Sequence, residues 1–90
     1  MPGKAEVILG GSKRFECQVV GNPRPSIRWF KDGIDITNKT RYNFEYDEDG
    51  IISMYIENVL QSDGGFYRCR AENTQGVATT AAYLHIIHFV

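Results

Sequence analysis

Ser62, Asp63 and His85 are the residue types of a nucleophilic hydrolase, and Cys17, Cys69, His85 and His88 are types that hold zinc. Neither set is spaced for that work. A nucleophile needs a base within hydrogen-bond reach and donors for the oxyanion. Ser62-Asp63 instead precedes Gly64-Gly65 in a turn, where Asp63 reads as the anchor of a corner. His85 alternates against Leu84 and Ile86 and reads as a surface position. Zinc needs four ligands, and His85 and His88, three apart on a strand, face opposite sides. Asp47-x-Asp49-Gly50 resembles the opening of a calcium loop, but Ile51 and Ile52 follow where ligands belong, so a solvated hairpin is the better reading. Gly10-Gly11-Ser12-Lys13 ends like a phosphate loop without its spacing or its helix. No catalytic residue, cofactor or metal is expected. Asn38-Lys39-Thr40 is a glycosylation sequon, which matters only in a secreted protein.

Charge removes two further classes of partner. Ten basic and eleven acidic residues leave a net charge of −1, so no global field draws nucleic acid or an anionic membrane. Arg24, Arg28, Lys31, Lys39 and Arg41 are interleaved with acids, without an aromatic stacking platform. The apolar run Ile86-Ile87 with Phe89-Val90 is broken by His88, far short of the ~20 residues of a membrane span. Met1-Pro2-Gly3-Lys4 is not followed by the apolar stretch of a signal peptide and reads as the leading end of an excised fragment. Hydrophobic residues make up 42% of the 90, enough for the core of one small domain.

The elements that must carry these residues are short strands separated by turns. Residues 14–20 alternate, with Phe15, Cys17 and Val19 on one face and Glu16 and Gln18 on the other. Runs at 5–9, 26–30, 41–46, 52–56, 66–72 and 77–87 behave similarly, divided by Gly10-Gly11, Gly21-Asn22-Pro23, Lys31-Asp32-Gly33, Asp47-Glu48-Asp49-Gly50, a turn at 61–65 and a hairpin loop at 73–76. Asp49-Gly50 supplies the positive-φ chemistry of a hairpin. No stretch holds a helical period better than it alternates. Seven or eight such strands predict an all-β, antiparallel sandwich. In that stack Cys17 and Cys69 can face each other across the core, with Trp29 packed beside them and the Tyr67 hydroxyl returning to the backbone of the preceding turn. The residues leave open whether the two cysteines are bonded or remain a buried thiol pair.

The pattern resembles the intermediate (I) set of the immunoglobulin superfamily over roughly residues 7–86. It is carried by Cys17, the Gly21-Asn22-Pro23-x-Pro25 bend, Ile27-x-Trp29-Phe30-Lys31-Asp32-Gly33, Met54-x-Ile56-x-x-Val59, Asp63-x-Gly65-x-Tyr67-x-Cys69, Ala71-x-Asn73 and Gly76. The likeness is to modules of muscle proteins of the titin, obscurin, twitchin and myosin light-chain kinase types, and also to those of adhesion receptors. It implies two Greek-key sheets, strands A, B, E, D against A′, G, F, C. The implied core is Phe15, Cys17, Val19, Ile27, Trp29, Met54, Ile56, Val59, Tyr67, Cys69, Ala71, Leu84 and Ile86.

The expected bounds are a leading segment 1–4, a domain 5–87 and a tail 88–90 that connects to a following domain. The implied role is a non-catalytic spacer and docking module of a cytoplasmic, cytoskeletal or sarcomeric array. It would resist load by antiparallel shear of its terminal strands, contact other proteins and neighbouring immunoglobulin or fibronectin domains, and be monomeric in isolation. The parent could contain a kinase. The alternative is an adhesion-receptor ectodomain, with a Cys17–Cys69 disulfide and a glycan on Asn38. Phe30, Ile34, Tyr46 and Tyr55 are expected to point outward as an interaction surface, and the acidic cluster Glu45, Asp47, Glu48 and Asp49 to suit a basic partner.

Overall fold

Alternation decides the architecture, because each strand has an apolar face to bury and a polar face to leave wet. The computed structural model describes residues 4–87, so the expected tail at 88–90 lies outside the described residues. The strands are β1 (Lys4–Ile8), β2 (Lys13–Gln18), β3 (Ser26–Lys31), β4 (Ile34–Asp35), β5 (Tyr42–Tyr46), β6 (Ile51–Ile56), β7 (Gly65–Asn73) and β8 (Gly76–Ile87). A single 3-10 turn, Gln61–Asp63, precedes β7. One sheet runs β1-β8-β7-β3-β4 and the other β2-β6-β5. The fold is the all-β sandwich of two sheets that was expected.

Two details differ from expectation. β1 pairs in parallel with β8, from Lys4↔Tyr83 to Ile8↔Ile87. Among the described residues no first strand joins the β2 sheet; Lys4, expected in the leading segment, already belongs to the ladder with β8. The second difference is β4, too short to leave a periodic signal. It joins β3 through Phe30↔Asp35 and Lys31↔Ile34, after a turn in which Asp32 and Gly33 both take positive φ.

Between the sheets lie Phe15, Trp29, Met54, Ile56, Val59, Tyr67, Cys69, Leu84 and Ile86, as the resemblance implied, joined by Ala5, Ile36, Ile52 and Ala82. Val19, Ile27 and Cys17 pack against this core from its margin and are half-buried. Burying each large aliphatic contributes about 1.5–3 kcal/mol.

The Asp-Gly hairpin forms where it was expected. The Asp47 carboxylate accepts from the amides of Asp49 and Ile51, each at 2.9 Å. Gly50 takes φ +82°, and a Cβ there would lie 2.2 Å from the Val19 carbonyl oxygen.

Candidate functional site

The signature residues assemble at one corner of the core. The Tyr67 hydroxyl donates to the Asp63 carbonyl at 2.6 Å, tying the start of β7 to the 3-10 turn four residues earlier. The Asp63 residue is only 3% exposed, and a buried carboxylate needs donors. Arg41 supplies them: its Nε donates to Oδ1 at 2.9 Å and its second amino group contacts Oδ2 closely. The Leu60 amide donates to Oδ2 at 2.7 Å. Burial pushes the Asp63 carboxyl up, but the Arg41 hydrogen bonds, the Leu60 amide and the guanidinium charge together hold it below the ordinary carboxylate range. Gly65 takes φ +149°, and the Asp32 carboxylate occupies the place of a Cβ while accepting the Phe66 amide at 2.9 Å.

Cys17 and Cys69 lie across the sandwich as free thiols, and one hydrogen-bonds the other. That hydrogen bond pulls the Cys17 thiol down to about 7 against the opposing effect of burial, while Cys69 is driven strongly upward by its place in the same pair and by burial. Trp29 is the cross-strand neighbour of Cys69.

This arrangement performs no hydrolysis. The Asp63 carboxylate is consumed by Arg41 and Leu60, and His85 is exposed on β8 opposite Glu6 of β1. Among the described residues no group of three or more metal-ligating side chains comes together. No helix of the described chain is long and apolar enough to cross a membrane.

The expected interaction residues do not form one surface. Phe30 is half-buried on the outer face of the five-stranded sheet. Ile34 is 65% exposed, but its register with Lys31 puts it on the other side of the sheet from Phe30. Tyr46 is not outward. With Tyr42 and Phe44 it packs against the core, its hydroxyl donates to the Pro25 carbonyl at 2.9 Å, and Arg24 covers its ring at 3.7 Å. The alternation of β5 runs that way because even-numbered residues there share the core face. Tyr55 is half-buried on the outer face of the three-stranded sheet, level with Arg14 and Asn43. Glu45, Asp47, Glu48 and Asp49 are exposed, although the Asp47 carboxylate is committed to its own turn. Asn38 and Thr40 are also exposed.

Two features escaped the sequence reading. Arg41 was counted as one more surface base, yet a buried Asp63 demands a cation, and that demand is the signal that could have found the pair. Phe66, Arg68 and Tyr83 were passed over, although a residue beside an inward Tyr67 must point outward.

The immunoglobulin I-set domain model matches residues 1–86. The chain is an immunoglobulin I-set domain. The I-set domain is similar to telokin from Meleagris gallopavo, 38% identical over 79 residues that cover 88% of this chain and 51% of telokin. Similarity to the muscle M-line assembly protein unc-89 of Caenorhabditis elegans is 43% over 66 residues, 73% of this chain and 1% of that protein. With human Roundabout homolog 3 it is 39% over 88 residues, 92% of this chain and 6% of that protein. The chain thus spans about half of telokin and a small fraction of the other two. Among solved structures, the complex of titin M10 with an obscurin-like 1 immunoglobulin domain superimposes with a TM-score of 0.89 at 29% identity, covering 97% of this chain and 88% of that one. The I-set sandwich of these relatives is a non-catalytic fold.

Proposed function

We propose that this I-set domain is a load-bearing spacer and protein-docking module in a tandem array of a muscle cytoskeletal protein, with residues 5–87 as its body. The observation that carries the reading is the pairing of the two terminal strands. β1 and β8 run parallel over five registered pairs, so pulling the chain outward from its two ends slides one strand along the other and loads the ladder as a unit. This is shear between parallel strands, where antiparallel shear was expected. The likeness to a muscle M-line assembly protein favours such a setting, as does the structure in which a titin domain is held by another immunoglobulin domain. Unbonded Cys17 and Cys69 suit a reducing, cytoplasmic compartment.

Proline substitution tests the reading. β1 is an edge strand, so of two adjacent residues only one turns its amide toward β8. Glu6→Pro and Val7→Pro therefore form a matched pair. Force spectroscopy on the domain flanked by inert handles is expected to show a clear drop in unfolding force for one of them and a small drop for the other. Unchanged force in both would sink the spacer role.

A receptor ectodomain is the second reading, favoured by the exposed Asn38-Lys39-Thr40 sequon and the likeness to Roundabout homolog 3. The intact mass of protein from its native source separates the two. A glycan on Asn38 with loss of two thiol hydrogens supports the ectodomain; a bare chain with both thiols supports the array.

A further inference from the structure

The outer face of the five-stranded sheet combines exposed aromatic surface with a cation that lacks a partner. Cross-strand register builds it in rows: Phe30, Arg68 and Ala81 form one, Arg28, Arg70 and Thr79 the next. On the other side of the Arg68 row, Phe66 faces Tyr83, their rings meeting edge-on at 5.2 Å. Phe66 is 57% exposed and Tyr83 40%. The short side chains of Ala81 and Thr79 leave a groove beside the larger Phe30, Phe66 and Arg68. Two of the three arginines are neutralised within the domain, Arg28 by Asp35 at 2.9 Å and Arg70 by Glu72 at 3.1 Å. The Arg68 side chain makes no hydrogen bond or ion pair among the described residues. The outer face of the other sheet differs: its Arg14 is satisfied by Glu16 at 2.8 Å and Ser53 at 3.1 Å.

We infer that this face docks a protein segment in which a carboxylate side chain is flanked by apolar ones, with Arg68 as the ionic anchor and the Phe66–Tyr83 pair as the apolar platform. The inference rests on the docking half of the proposed function and supplies the class of partner. Charge selects the carboxylate, because a guanidinium beside two aromatic residues with no internal acid gains most from a planar, bidentate acceptor. The aromatic rings select the flanking apolar residues, since aromatic and arginine side chains are the usual anchors of docking energy.

The test is an amide-resolved NMR titration of the labelled domain with the peptide acetyl-Leu-Glu-Phe-Glu-Leu-amide, with its counterpart carrying Lys for Glu, and with inorganic phosphate. The expected result is saturable shifts centred on Phe30, Arg68, Arg70 and Ala81 with the acidic peptide alone. Arg68→Glu is expected to weaken that binding about tenfold or more, and Phe66→Ala to weaken it without touching the charge. Both positions are exposed, and an unchanged melting temperature shows that the variants remain folded. Equal binding of the lysine peptide, equal shifts with phosphate, shifts confined to the β1 or β5 edges, or no shift at millimolar peptide would each overturn the inference. None of those results touches the spacer role, which the proline pair tests separately.

Discussion

Asp63 shows how one residue can look catalytic in a list and be structural in space. Its carboxylate holds the 3-10 turn through Leu60 and pairs with Arg41, while its carbonyl receives Tyr67. Because its folded pKa lies below the unfolded value near 3.8, the stability it contributes is present above that value and lost as pH falls through the folded one. Arg41→Met removes the guanidinium that does most to hold this buried carboxylate ionised. From acid to neutrality the wild type is expected to gain stability as pH rises towards about 4, and the variant to gain less there and to be weaker by about 3 kcal/mol near neutrality. Urea titrations across that range check both expectations. Tyr67→Phe leaves the ring in place and removes one buried hydrogen bond, an expected loss of about 0.5–1.5 kcal/mol. An unmoved denaturation midpoint would disprove the corner role. The two thiols should also differ. Half-buried Cys17, pulled down to about 7, is expected to react with iodoacetamide before buried Cys69 in the native domain, which peptide mass spectrometry reads directly.

At the scale of the element, turns carry as much information as strands. Gly33 and Gly50 share nearly the same positive φ, +83° and +82°. A Cβ at Gly33 meets nothing within 4 Å, whereas one at Gly50 would lie 2.2 Å from the Val19 carbonyl. Gly33→Ala is therefore expected to cost about 1–2 kcal/mol from conformation alone, and Gly50→Ala clearly more. Equal losses by thermal denaturation would show that the loop before β3 simply moves aside. The alternation of β2 and β7 was legible because each has one face against the core and one turned to water. β5 misled for a related reason. Aromatic Tyr46 could occupy either face of an edge strand, and its hydroxyl is satisfied by a loop carbonyl, Pro25, that the strand pattern does not reveal. β4 was invisible because two residues have no period.

For the whole molecule, the consequential fact is which strands become neighbours. Trp29→Ala removes the largest of the fully buried side chains from between the sheets and is expected to cost about 3–5 kcal/mol, a large share of a small domain's stability, as a shift in denaturant midpoint would show. The parallel β1–β8 pairing and the Phe30–Arg68–Ala81 row exist only through long-range pairing, and both proposals stand on them.

The amino-acid sequence by itself determined the sandwich, most of its core and the corner at Tyr67, because alternation and turn chemistry are local properties that each segment carries alone. Tertiary structure decided the partner of Asp63, the parallel sense of the β1–β8 pairing, the placement of Tyr46 and the neighbours of Arg68 on its sheet face. Each of these depends on which segment lies beside which, and a period of two residues says where a side chain points without saying what it will meet.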